Sequence, residues 1–209
     1  KEAALALATT VSDAALRIGA ANTLTFLETG GFHADNTDAT GFRDNILQAV
    51  PEWRPESGPA LVLGAGGAAR AIIAALAKSG APEIRLANRT RSRAEALRDH
   101  FGTTVTVVDW AETEPALDGA ATLVNTTSLG MAGQAPLDLR LDAAPDGMVV
   151  NDIVYQPLET ELLKAARARG LRSVGGLGML LHQAAPGFER WFGRRPEIDD
   201  ALRDAVLAA

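Results

Sequence analysis

Leu61-Val62-Leu63-Gly64-Ala65-Gly66-Gly67-Ala68-Ala69 puts two glycines and a small residue at G-x-G-x-x-A spacing. A short apolar run precedes it and an Ala/Ile/Leu-rich run follows, which reads as strand, turn and helix. The chemistry of such a turn is anion binding. Gly64 permits the tight turn, Gly66 lets backbone approach a pyrophosphate, and Ala69 allows close helix–strand packing. The helix start adds free N–H groups and a favourable dipole. The plainer alternative is a structural turn that binds nothing. Further on, Asn88-Arg89-Thr90-Arg91-Ser92-Arg93 holds three arginines and no carboxylate. An acidic residue there would take a ribose 2′-OH, whereas guanidinium groups suit a 2′-phosphate. The expected cofactor is therefore NADP(H) rather than NAD. A merely solvated basic helix start would oppose the helix dipole.

Two polar runs, Gly19-Ala20-Ala21-Asn22-Thr23 and Asp35-Asn36-Thr37-Asp38-Ala39-Thr40-Gly41, fit either turns or a site, and residue type alone leaves both open. His33, His100 and His182 lack metal-ligand spacing, so no metal is expected and the histidines are expected to be structural or at the surface. Trp53, Trp110 and Trp191 are expected to pack in a core or between domains. The absence of cysteine excludes disulfide scaffolds, thiol catalysis and Cys-ligated metal.

These residues need a frame. The chain has 209 residues, 47% of them apolar and 22% charged, in the range of a soluble globular protein with one large domain or two small ones. Its net charge of −6 argues against general nucleic-acid binding, and its apolar stretches are too short to span a membrane. With no visible signal peptide, a cytoplasmic protein is the expectation. Helix is expected over 3–8 and 39–50, and a hairpin over 22–28 and 32–35. The Pro-rich stretch 51–59 reads as a linker, although Trp53 suggests that it packs on something. Strands are expected at 60–63, 83–87, 105–108, 122–125, 148–153 and 172–174. Helices are expected at 68–78, 92–101, 159–169, 177–192 and 197–208. Such alternation means βαβ units: an α/β protein with a parallel, Rossmann-like sheet.

Taken in order, G-A-x-N-T (19–23), N-T-D-x-x-G (36–41), G-A-G-G-A-x-R (64–70), N-R-T-x-x-R-A (88–94), N-T-T-S-x-G-M (125–131), D-x-x-Y-x-P-x-x-T (152–160) and G-x-G-M-L-x-x-Q-A (176–184) resemble the shikimate dehydrogenase family. The resemblance runs over nearly the whole chain. It implies reversible reduction of 3-dehydroshikimate to shikimate with NADPH, in aromatic amino-acid biosynthesis. It implies Lys1 and Asp38 as the catalytic pair. Asn22 would join them in holding substrate hydroxyls, and Tyr155 and Gln183 would be further substrate contacts. For the cofactor it implies Gly64, Ala65, Gly66, Gly67, Ala68, Asn88, Arg89, Thr90, Arg93 and Thr127, with Ile153 and Gly176 lining the nicotinamide. Plainer readings exist: Asp38 as a helix N-cap, Lys1 as a solvated terminus, Tyr155 as packing and Gln183 as part of a solvated helix face.

The implied architecture is an NADP-binding Rossmann-like domain over 38–175 and a partial substrate-binding α/β lobe over 1–37, with helices of 176–209 returning to that lobe. Cofactor and substrate are expected to meet beyond the carboxyl ends of the parallel strands. The family's segment before the lysine has no counterpart in these residues. The polypeptide as written is therefore expected to bind NADP(H) but to turn over shikimate poorly, with a sheet edge and an apolar face uncovered. Alternatives are a quinate or aminoshikimate dehydrogenase, or a non-catalytic NADP-binding protein. The expected partner is a small molecule, without nucleic acid or membrane, in a monomer or homodimer.

Overall fold

The computed structural model describes residues 1–208; Ala209, the last residue of the expected 176–209 segment, lies outside the described residues. The chain forms two compact units. One comprises residues 1–45 with 178–209, and the other residues 46–177. The divisions fall at 45/46 and 177/178, where the sequence suggested 37/38 and 175/176. Both divisions lie inside continuous helices, so no loop marks them.

The first unit opens with α1 (Glu2–Ala6), β1 (Thr10–Val11), α2 (Asp13–Ile18), β2 (Thr23–Phe26) and β3 (Phe32–Asp35). β1 and α2 have no counterpart in the expected elements. A two-residue strand carries no readable period, and α2 is only six residues long. Its caps were nonetheless written in the sequence. The Ser12 hydroxyl accepts from the Ala15 N–H at 3.1 Å, and Gly19 ends the helix at φ 73°. The three strands form a mixed sheet of order β1-β3-β2, with β2 antiparallel and β1 parallel to β3. A small core of Ala15, Ala21 and Ala34 lies among Leu5, Val11 and Leu24. Leu7, Leu16 and Phe26 stay exposed. The start of α3 (Asp38–Ala49) belongs to this unit.

The second unit carries β4 (Ala60–Leu63), α4 (Gly67–Lys78), β5 (Ile84–Ala87), α5 (Arg91–Phe101), β6 (Val105–Val108), β7 (Thr122–Asn125), β8 (Val149–Asp152), α6 (Glu161–Ala168) and β9 (Arg172–Val174). All six strands are parallel, in the order β6-β5-β4-β7-β8-β9. The order reverses between β4 and β7, which is the doubly wound arrangement of a Rossmann-type domain. Every residue of β4, β7 and β8 is buried, as a parallel sheet covered on both faces requires. The 51–59 stretch packs on this unit. Trp53 is buried and donates its indole N–H to the Thr122 hydroxyl at 3.0 Å.

α7 (Gly176–Phe192) and α8 (Asp200–Leu207) complete the chain. Trp191 differs from its expected role in packing: it is 55% exposed and spends its N–H on the Leu24 carbonyl.

Candidate active site

In the first unit the two undecided polar runs form one cluster. Asp38 is the first residue of α3 and is 2% exposed. Its Oδ2 pairs with the Lys1 ammonium, and its Oδ1 accepts from Asn22 Nδ2 at 2.8 Å. The carboxylate is thus engaged by side chains, and the local turn is made by Asn36, whose Oδ1 accepts the Asp38 N–H at 2.9 Å. Asn36 is itself tied to the Ala20 carbonyl at 2.9 Å. Lys1 is not a loose terminus: its carbonyl accepts from the Ala21 N–H at 3.1 Å, while its side chain is 43% exposed. A buried carboxylate paired with the ammonium of a part-exposed lysine side chain is an arrangement that can orient a proton donor toward a reacting oxygen.

Asn22 is saturated. Its amide donates to Asp38 and to the Thr37 hydroxyl at 3.0 Å, and its oxygen accepts from the Thr23 hydroxyl at 2.9 Å and the Thr37 N–H at 3.0 Å. Here it braces the carboxylate, with no hydrogen-bonding capacity left over. Asp35, just upstream, closes β3. Burial pushes its carboxyl up, but hydrogen bonds from Ser12, the Asn36 N–H and Arg190, with the Arg190 charge, together hold it below its ordinary value.

Gln183 lies on α7, half-buried, with no hydrogen bond to its side-chain amide among the described residues. α7 and α3 approach so closely here that only glycine fits. A Cβ on Gly41 would stand 2.7 Å from Gln183 Cβ, and one on Gly178 would overlap the Asn45 amide. Both glycines stand in the quoted motifs, and their steric role was not read from sequence. The signal was their spacing to Asp38 and Gln183. Tyr155 belongs to the second unit and is 44% exposed.

In the second unit the glycine turn has the expected form. Gly64 has φ 102°, and a Cβ there would stand 2.6 Å from the Thr126 hydroxyl. Gly66 precedes α4 with no side-chain cap, and a Cβ there would meet nothing within 4 Å. Open space over an uncapped helix start is what a pyrophosphate needs. Asn88 joins the turn to the next one. Its Oδ1 accepts from the Ala65 N–H at 3.2 Å, and its amide donates to the Thr90 carbonyl at 2.8 Å. Arg91 is committed to Glu95 and Asp109. Arg89 and Arg93 are exposed and without an ion pair among the described residues. Two free guanidinium groups after β5 fit a 2′-phosphate. Gly67 and Ala68 open α4, on the far side of Gly66 from Ala65.

Thr127 is held within its own turn, donating to Asn125 Oδ1 at 2.7 Å and accepting from the Leu129 N–H at 3.0 Å. Ile153 and Gly176 are neighbours: a Cβ on Gly176 would overlap the Ile153 carbonyl. Sequence reasoning missed Asn125, Asp152 and Thr160, which form a buried network at the exits of β7 and β8. The D-x-x-Y-x-P-x-x-T motif begins and ends on two of them. No cluster of residues able to hold a metal occurs among the described residues. No helix of the described residues is long and apolar enough to cross a membrane. A cavity of about 490 Å³, lined by Trp53, Arg54, Gly119, Met148 and Arg172 among others, sits at the amino ends of β7, β8 and β9, the edge opposite the glycine turn.

Residues 51–131 match the family profile described as Shikimate / quinate 5-dehydrogenase, and residues 176–207 match Shikimate 5'-dehydrogenase C-terminal domain. Two curated relatives, from Paracoccus denitrificans and Dinoroseobacter shibae, are named shikimate dehydrogenase (NADP(+)). They are 60% and 61% identical over 208 residues, covering 100% of this chain and 74% and 75% of the relatives. The chain thus spans about three quarters of their length. Among solved structures, a Thermus thermophilus shikimate 5-dehydrogenase in complex with NADP(H) and shikimate matches with a TM-score of 0.80 at 42% identity, over 94% of this chain and 71% of that one. A Corynebacterium glutamicum quinate dehydrogenase in complex with NAD matches with a TM-score of 0.91 at 33% identity, over 100% and 75%. With these motifs, this parallel sheet and relatives of this identity, the chain belongs to the shikimate dehydrogenase family.

Proposed function

We propose that the chain catalyses the reversible, NADP-dependent reduction of 3-dehydroshikimate to shikimate in aromatic amino-acid biosynthesis. The observation that carries the reading is the ion pair of Lys1 with buried Asp38, braced by Asn22. NADPH, when bound, supplies a hydride to the substrate carbonyl carbon. As the carbonyl oxygen gains negative charge, Lys1 Nζ donates a proton to it; in the reverse direction the neutral amine takes the proton back. Asp38 orients the ammonium through their ion pair. Asn22 holds Asp38 and shares a substrate hydroxyl only by releasing one of its present partners. Gln183, whose side-chain amide has no hydrogen bond among the described residues, contacts substrate hydroxyls, and Tyr155 is a further substrate contact. The turn Gly64–Ala68, Asn88 and Thr90 hold the pyrophosphate side, and Arg89 and Arg93 hold the 2′-phosphate. Thr127, Ile153 and Gly176 line the nicotinamide half.

A quinate-specific reading draws on the likeness to the Corynebacterium glutamicum enzyme. The two free arginines favour NADP, and the 60% identical relatives favour shikimate. The reading also includes a cytoplasmic enzyme, monomeric or homodimeric, with small-molecule partners and neither nucleic acid nor membrane. Its acidic balance of −6 supports the exclusion of nucleic acid. The test is reduction of NADP or NAD with shikimate or quinate as donor, using the full chain. Preference for shikimate with NADP is expected. Preference for quinate overturns it, as does NADPH binding without turnover of either donor that adding an N-terminal segment does not restore.

A further inference from the structure

Asp152 closes β8 and is 1% exposed, so it touches no ligand. Three donors converge on it. Its Oδ1 accepts from the Val154 N–H at 3.1 Å and from Asn125 Nδ2 at 3.0 Å, and its Oδ2 accepts from the Thr160 hydroxyl at 2.7 Å. Thr160 in turn caps α6, accepting from the Leu163 N–H at 3.4 Å. The segment 153–159 is therefore pinned at both ends by one carboxylate.

The network does not stop there. Asn125, the last residue of β7, donates its other amide hydrogen to the Leu129 carbonyl at 3.2 Å and accepts from the Thr127 N–H at 3.0 Å. The next residue, Thr126, donates to the Leu63 carbonyl at 2.7 Å, at the end of β4. Hydrogen bonds thus link the exits of β4, β7 and β8, which are adjacent in the sheet. Such a cluster of buried polar groups is costly unless every member is satisfied. Burial pushes the Asp152 carboxyl up, and the hydrogen bonds from Thr160, Val154 and Asn125 offset this only in part.

A doubly wound sheet takes a dinucleotide across the carboxyl ends of its strands, at the point where the order reverses, with one mononucleotide half on each side. That point lies between β4 and β7. The free arginines after β5 mark one side for the adenosine half. The exits of β7 and β8 lie on the other. We propose that Asp152, clasped by Asn125 and Thr160, is a positioning residue that holds segment 153–159 in place for the nicotinamide half of NADP(H). This rests on the NADP reading above and not on the identity of the substrate.

The test titrates NADPH into the full chain and follows reduced-nicotinamide fluorescence, Kd and turnover with shikimate, for the parent, Thr160→Val, Thr160→Ser and Asp152→Asn. In Thr160→Val and Asp152→Asn, Kd is expected to stay within about 3-fold, because the phosphate contacts lie elsewhere. The fluorescence gain of bound nicotinamide is expected to fall by more than half, and kcat by about 10-fold or more, from lost orientation. Thr160→Ser, which keeps both the donor and the cap, is expected to restore both. Asp152→Asn leaves the Thr160 cap in place and so separates loss of the clasp from loss of α6. Parent-like fluorescence and kcat in both variants overturn the proposal. So does a parallel loss of affinity, fluorescence and thermal stability that serine does not recover, which marks a purely structural role. If the parent binds NADPH with a fluorescence gain but does not oxidise shikimate, the substrate reading fails and the fluorescence comparison still decides the role of Asp152. If the parent does not bind NADPH, the cofactor reading and this proposal fail together.

Discussion

Lys1 and Asp38, 37 positions apart, meet as an ion pair in which the Asp38 side chain is buried and the Lys1 side chain is 43% exposed. The asymmetry divides the work. Asp38 is fixed by Asn22 and by the start of α3, and Lys1 is the member of the pair proposed to exchange the proton. Replacing Lys1 or Asp38 by Ala is expected to lower turnover by roughly 10²–10⁴-fold, the usual range for a positioned proton donor. NADPH affinity is expected to stay within about 3-fold, since the phosphate site is built from other residues. Steady-state kinetics and a direct NADPH titration check the split. Equal losses in both would remove the catalytic assignment.

Arg89 and Arg93 are expected to set cofactor preference, and Arg91 is not, because Glu95 and Asp109 already engage it. Charge-assisted hydrogen bonds contribute about 1.5–3 kcal/mol each, so Ala at both free positions is expected to weaken NADPH about 10–100-fold or more. NADH binding is expected to change little. Calorimetric titration of the double variant and of Arg91→Ala with both cofactors tests this. A matching loss for NADH would point to general charge rather than 2′-phosphate recognition.

Gly41→Ala drives a methyl group against Gln183, where the Cβ would stand only 2.7 Å from Gln183 Cβ. Forcing α3 and α7 apart is expected to cost about 1–3 kcal/mol. It also moves the Gln183 amide, so KM for shikimate is expected to rise along with the loss of stability. Thermal melts and kinetics on one preparation follow both. An unchanged melting temperature would contradict the close helix approach.

Asp35 is expected to make the first unit sensitive to acid. Its carboxyl is held below the ordinary value of 3.8, and Arg190 contributes from α7 at 2.8 Å. A depressed folded value stabilises the fold fully above the unfolded value and loses that contribution as the pH falls through the folded one. Asp35→Asn and Arg190→Ala are thus expected to lower stability near neutral pH and to flatten its decline below about pH 4. Urea unfolding across that range reads the slope. A slope unchanged in both variants would exclude Asp35 as its source.

Much of the frame was legible before the structure. The βαβ alternation, the glycine turn and the arginine run are local signals, read from short windows in which period, turn chemistry and charge agree. The expected strands at 60–63, 105–108, 122–125 and 172–174 coincide with β4, β6, β7 and β9. β1 and α2 escaped because elements of two and six residues leave too short a period to read.

The sequence by itself determined the parallel α/β class, the glycine turn between β4 and α4 and the arginine run after β5, because each depends on residues adjacent along the chain. Only the tertiary structure decided which polar residues act together. It left Arg89 and Arg93 without an ion pair among the described residues while engaging Arg91, made Asn22 the brace of the Lys1–Asp38 pair that the resemblance implied, and assigned Gly41 and Gly178 to a helix contact. It also gathered Asn125, Asp152 and Thr160 around one buried carboxylate. Those are long-range relationships. They depend on where the sheet and the helices carry each side chain, and no local period or spacing encodes them.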